Sequence, residues 1–268
     1  EKTDRTLKIE WTTDYIKKFP NREGKELSLA LQIGGNINDG NTNIYENNIS
    51  IFNQNDEKVI EQTFQIDYTY PFGKLKENNN YINNSKDKKY YKRKSKITNQ
   101  NNIEIGAKII NRNREIIYSD IQASNYIMSN EFIYNQLVTA SYISTQIKLP
   151  LKLGLKTGVR HEYTNSEGNE LNNNFITHYN NWLPSITLSK SFSPIRSVKL
   201  SYNQRITRPS VRQINTNTNR IDNRNITIGN PYLEPTQIEQ YELSINNFNK
   251  ILQTSIQLYY KHSYNRVE

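Results

Sequence analysis

Three histidines, two arginines beside a proline and one dense run of lysines are the residues here whose types invite chemistry. His161, His178 and His262 show neither HExxH spacing nor a surrounding carboxylate triad, so a zinc or histidine-base site lacks its parts. His161 does neighbour Glu162, but adjacent strand residues point to opposite faces, which makes it an outward or interface histidine. The absence of Cys removes thiol catalysis, disulfides and thiolate metal sites. There is no G-x-S-x-G elbow, and Gly34-Gly35 with Gly40 makes no phosphate loop. No enzyme and no cofactor are expected. The run Lys86 to Lys96 sets basic side chains around Tyr90 and Tyr91, as a single-strand nucleic-acid patch would. Its Asn-rich flanks stay soluble without any partner, so it reads as a solvated loop and no nucleic acid is expected. Arg205 and Arg208, just before Pro209, can pair with Glu234, Glu239 or Glu242 to hold a loop, a structural role.

The elements that position these residues are strands. Leu151, Leu153, Leu155, Val159 and Tyr163 alternate with Lys152, Lys156, Arg160 and Glu162, a period of two with one apolar and one charged face. The pattern recurs at Leu7–Tyr15, Leu27–Ile33, Phe64–Tyr70, Ile103–Ile109, Leu137–Leu149, Ile186–Leu188, Val198–Ile206, Tyr241–Ile245 and Leu252–Tyr260. About ten strands follow, several of ten or more residues, with no competing helical period. Soluble sandwich strands run about 5–6 residues, whereas crossing an outer membrane takes about 9–11. Strand length therefore favours a membrane barrel. Trp11, Tyr15, Phe19, Tyr68, Tyr70, Tyr163 and Tyr202 near strand ends suit its interfacial girdles.

Composition agrees once the alternation is allowed for. Of 268 residues only 34% are hydrophobic and mean hydropathy is -0.85, yet 19 Tyr, 8 Phe and 2 Trp argue against disorder. No run reaches the roughly 18 apolar residues of a membrane helix, and the start, EKTDRTLKIE, has no signal-peptide core. A net charge of +9 is compatible with an anionic partner but is weak by itself. Short turns near Pro20–Gly24, Pro150, Ser193–Ser197 and Asn249–Lys250 alternate with polar stretches at about 38–58, 114–131, 165–182 and 209–236, read as long loops. The Asn- and Lys-rich segment 73–100 occupies a short-turn slot and is expected to be a flexible insertion.

One ordered set is more specific than any tripeptide. Arg205-Ile206-Thr207-Arg208-Pro209 precedes a loop with Asp222, then Gly229-Asn230-Pro231-Tyr232-Leu233-Glu234-Pro235 and Tyr241-Glu242-Leu243. This resembles the TonB-dependent-receptor-like outer-membrane β-barrel family, where R-I-x-R-P closes a strand and G-N-P-x-L-x-P leads into a Y-E-L strand. Gln65–Pro71, Gly158–Thr164 and Leu183-Pro184-Ser185 agree with it. The resemblance implies an all-β, antiparallel transmembrane barrel, residues 1–268 forming one incomplete domain of a larger barrel of up to roughly 22 strands. It implies the bacterial outer membrane, the wall of a nutrient-import channel, outer-membrane lipid as surroundings, and a plug domain and TonB as partners where the full-length protein carries them. A non-transporting barrel subunit of an outer-membrane complex, with lipoprotein partners, is the second reading, and a soluble β-sandwich adhesin the third. No plug or TonB box is visible here, and both end strands are expected to be edges.

From the residues alone, Pro231 and Pro235 remove backbone donors and fix φ, so the loop cannot extend strand pairing past about Thr236. Gly229 allows a tight corner. Pro209 closes the preceding strand in the same way. Lys152, Lys156, Arg160 and Glu162 are expected to face the lumen and Leu151, Leu153, Leu155 and Val159 the lipid.

Overall fold

Alternating sequence of this length folds into one antiparallel sheet. The computed structural model describes residues 2–46, 49–73, 101–122, 127–170, 173–216, 219–220, 226–248 and 252–266. In chain order the elements are β1 (Lys2–Lys18), β2 (Glu26–Glu46), β3 (Ile49–Phe72), β4 (Asn101–Gln122), β5 (Ile127–Leu149), β6 (Leu153–Glu170), β7 (Asn173–Ser193), β8 (Arg196–Thr207), α1 (Val211–Ile214), β9 (Asn219–Arg220), β10 (Ile226–Thr227), β11 (Thr236–Phe248) and β12 (Gln253–Tyr264). Ten of the strands form a single sheet in the order β1-β2-β3-β4-β5-β6-β7-β8-β11-β12, each paired antiparallel to its neighbour in that order, while β9 and β10 pair only with each other. Among the described residues β1 and β12 are the two sheet edges. No described helix is long and apolar enough to cross a membrane. The segment 73–100 lies, but for Gly73, outside the described residues.

The short turns stand where proline and glycine place them. Phe19 N–H donates to Lys25 O at 3.1 Å, with Gly24 at φ 83° inside the turn. Pro150–Lys152 closes β5 onto β6, with Leu151 and Lys152 at φ 60° and 59°. Leu151 and Lys152 are therefore turn residues. The expected strand face begins at Leu153, the first residue paired across to β5. Pro150 has no N–H to donate, and the chain reverses there before the alternation resumes.

The other expected loops are largely strand. β2 stays paired to β3 up to Glu46 opposite Ile49, β4 to β5 up to Ile121 opposite Ile127, and β6 to β7 up to Glu170 opposite Asn173. The described residues of 38–58, 114–131 and 165–182 are thus β-ribbons that carry the sheet onward. Above a membrane both faces of a ribbon meet water, so polar residues appear on both and the sequence period fades while the backbone ladder continues. Among the described residues of the fourth stretch, 208–216 and 228–235 lie outside any strand. β8 ends at Thr207, before Arg208-Pro209, and β11 begins at Thr236, directly after Pro235, as the prolines dictate.

Register sorts every residue onto one of two faces, because directly opposed residues share a face. Asp14, Ala30, Gln65, Lys108, Ala140, Glu162 and Asn181 form one row through β1 to β7. This is the inner face, the one that residues 208–216 cover. Opposite it, Ile147, Leu155, Leu188, Leu200, Leu243 and Leu258 form an outer row across β5, β6, β7, β8, β11 and β12. On β2 the outer apolar residues run from Leu27 to Ile37; at about 3.4 Å per residue and a tilt near 40°, they cover a band of about 26 Å, the height of an outer-membrane hydrocarbon belt.

Candidate functional site: the polar inner face and its strap

The outer face carries lipid-belt chemistry. One step from the leucine row, Tyr202, Tyr241 and Tyr260 stand side by side, their ring centroids 4.9 and 6.3 Å apart. Trp182 lies 4.6 Å from the His161 ring, which also meets Asn180 at 3.2 Å. His161 is thus an outer-face histidine beside an indole. At the short-turn end Arg22 stacks on Tyr70 at 4.4 Å and Lys25 on Phe19 at 4.6 Å, cations against aromatic faces as at a membrane–water boundary. Trp11, Tyr15, Tyr68, Tyr70, Tyr163 and Tyr202 all fall on the outer face by register. Towards the end covered by residues 208–216, the strap, the belt gives way to polar pairs, with Asn113 donating to Asn135 at 2.6 Å.

The inner face is a connected polar surface. Arg112 bonds Glu61 on one side at 2.7 Å and Gln136 on the other at 2.8 Å; Gln136 reaches Tyr134 Oη at 2.7 Å, and that hydroxyl donates to Ser166 at 3.0 Å. Arg114 pairs with Glu57 at 3.2 Å and Lys8 with Glu10 at 3.2 Å. Tyr142 Oη lies 2.6 Å from Asp67 and 2.8 Å from Glu104, above Gly106, where a side chain would strike the tyrosine ring. Such ion pairs satisfy charges that a polar-lined sheet carries and need no ligand to do so. Among the described residues no group of His, Asp and Glu gathers as a metal site.

Of the residues singled out by sequence, Lys156, Arg160 and Glu162 share this inner face, while Leu153, Leu155 and Val159 share the outer one. Lys152 sits in the turn. Glu162 is buried and accepts from two arginines, Arg160 on its own strand and Arg208 from the start of the connection. Arg208 also donates to Thr164 at 3.1 Å. Its partner is therefore Glu162, in place of Glu234, Glu239 or Glu242, because beyond β8 the chain folds back over β7 onto β6. Arg205 donates instead to Gln240 at 3.2 Å, and Glu242 accepts from Ser244 at 2.7 Å. Asp222 lies outside the described residues.

Sequence reasoning missed the apolar patch inside this polar face. Phe132 is fully buried and packs with Ile116, Tyr134 and Phe175 against Val211 and Ile214 of α1. Its signals were present. Ser210 and Gln213 form a capping box, and Val211 and Ile214 sit three apart on one side of the turn. The remaining motif residues close the connection. Gly229 N–H donates to Asn215 O at 2.8 Å and Asn230 N–H to Gln213 O at 2.7 Å. Asn230 Oδ1 accepts from Tyr232 N–H at 3.0 Å, leading the chain through Pro231 and Leu233 to buried Pro235 and β11. Tyr241 stands on the outer face and Glu242 on the inner.

The face assignment predicts a simple contrast. Spin labels at Leu153 and Lys156 should differ in collision with lipid-dissolved oxygen, Leu153 being the more accessible to it and Lys156 to a water-soluble relaxer. Equal profiles at both positions would contradict it.

Solved structures share this architecture. The chain resembles the alcaligin outer-membrane receptor FauA of Bordetella pertussis, at 15% identity and TM-score 0.64, over 98% of this chain and 37% of that one. It resembles the ferripyoverdine receptor of Pseudomonas aeruginosa at 15% identity and TM-score 0.64, over 97% and 33%, and the ferric preacinetobactin receptor BauA of Acinetobacter baumannii at 10% and 0.65, over 96% and 37%. At these identities the likeness is one of fold, and the chain spans about a third of each receptor. No curated protein matches the sequence. The model of the outer membrane protein beta-barrel family matches residues 75–268, well over half of the chain. The chain belongs to that family, and its place is the bacterial outer membrane.

Proposed function

We propose that this chain is part of the wall of an import channel for a bulky nutrient, completed by further strands, a plug domain and energy from TonB. The observation that carries it is the ten-stranded sheet with a polar, ion-paired inner face, whose fold follows outer-membrane receptors over nearly its whole length. In this reading the inner face lines the lumen, the short turns are periplasmic, and the ribbons and the 208–235 connection stand at the cell surface. Two of the receptors it resembles are receptors of ferripyoverdine and of ferric preacinetobactin, which makes an iron chelate the first cargo to try. Among the described residues β1 and β12 are each paired on one side only, an edge that lipid does not tolerate, which supports additional strands at both edges.

The test is uptake by cells carrying the full-length protein. Accumulation of a labelled ferric siderophore or other bulky nutrient should require the protein and should fall to background without TonB or without a proton gradient. Uptake that continues without either would sink the import reading. A full-length protein that transports none of a broad cargo panel, and purifies in fixed ratio with a surface lipoprotein, would place it among the structural subunits.

A further inference from the structure

We infer that the strap from Arg208 to Thr216 is a fixed part of the inner wall, keyed in place by α1, so that it narrows the mouth in every state and is no lid that swings with cargo. That the strap narrows a mouth rests on the import reading; its docking is a property of the chain.

A one-turn helix has no stability of its own, so α1 must be held by what surrounds it. Val211 and Ile214 are 7% and 5% exposed, and the side chains they bury against come from β4, β5 and β7 although the strap leaves from β8. Arg208 anchors one end on Glu162 and Thr164 of β6, and Thr216 Oγ1 anchors the other on Glu170, also of β6. The returning chain then locks underneath. A Cβ at Gly229 would lie 2.7 Å from both Asn215 N and Gln213 O, backbone atoms that cannot step aside, so only glycine lets the two segments make their hydrogen bonds. Release would expose Phe132, Phe175, Val211 and Ile214 to water together and leave Arg208 and Glu162 apart. Apolar burial, an ion pair and a glycine-dependent close approach all oppose the same motion.

In the full-length protein on intact cells, cysteine at Ile214 should react with a membrane-impermeant maleimide on the order of 100-fold more slowly than cysteine at exposed Arg212, the protection a closed local structure gives. The ratio should hold with and without cargo and an energised membrane. Gly229→Ala and Arg208→Ala should each raise labelling at 214 by tenfold or more while the heat-resistant barrel band persists. Arg208→Glu combined with Glu162→Arg should restore part of the protection. Labelling at 214 as fast as at 212, a rate that rises with energised transport, or no change in either single variant would overturn the inference. Hydrogen exchange over residues 211–216 in the unsubstituted protein measures the same protection should Ile214→Cys loosen the site. Slow labelling in a protein that transports nothing would refute import and leave the fixed strap standing.

Discussion

Leu200→Arg should destabilise the folded barrel by about 2–4 kcal/mol, the depth-dependent cost of an arginine at the membrane midplane on a lipid face. Leu200 lies in the outer row with Leu155, Leu188, Leu243 and Leu258, and it is 54% exposed, so a new charge there would stand among leucines on the outward face. Its chain neighbour Lys199 is at the same depth and already charged, but register turns it to the inner face beside Ser189 and Ser244. Depth alone therefore does not decide the cost; face does. Lys199→Leu should change stability by less than about 1 kcal/mol, as surface substitutions away from special features do. Denaturant titration of the full-length protein in liposomes measures both. If Leu200→Arg and Lys199→Leu prove equally mild, the leucine row does not face lipid.

That contrast also shows what the sequence discloses and what it withholds. From Leu153 to Tyr163 the two faces can be read letter by letter, because lipid on one side and water on the other force a period of two. Pro209 and Pro235 mark the strand ends to within two residues, since a missing N–H is visible in the residue name. Where both faces are wet the code lapses, which is why Asn38 to Lys58 looks like loop yet stays paired through Glu46. Lys152 misleads in another way: it falls in phase with Lys156 and Arg160, but the chain is still turning there at positive φ. The Arg208–Glu162 pair joins residues 46 apart through a fold-back that no local pattern encodes. Pro184 shows an intermediate case. Its lost donor coincides with the point above which β7 has no partner in β8, the ladder between them beginning at Ser185, so the residue is legible but its consequence needs the sheet.

The last expected result separates barrel from strap. Phe132 is fully buried, with ring centroids 6.3 Å from Tyr134 and 6.2 Å from Phe175, and Gly168 leaves room for Phe175 where a Cβ would collide with its ring. Truncating such a phenylalanine usually costs about 3–5 kcal/mol, as much as or more than an arginine in the lipid belt. Here the loss should not appear as barrel unfolding. β5, which carries Phe132 and Tyr134, is held by continuous ladders with β4 and β6, and β7, which carries Phe175, by one with β6, none of which needs the side chain of Phe132. What does need it is α1, whose Val211 and Ile214 complete the same cluster. Phe132→Ala should accordingly leave the thermal transition of the full-length barrel within a few degrees of the parent while amide exchange over residues 211–216 accelerates by at least about 100-fold, equivalent to the loss of about 3 kcal/mol of local protection. Leu200→Arg should do the reverse, lowering the global transition and sparing the strap. A Phe132→Ala protein whose global transition falls well below the parent's, while strap exchange in the still-folded protein is unchanged, would show that the cluster is part of the barrel's own core and that α1 is held by Arg208, Thr216 and Gly229 alone.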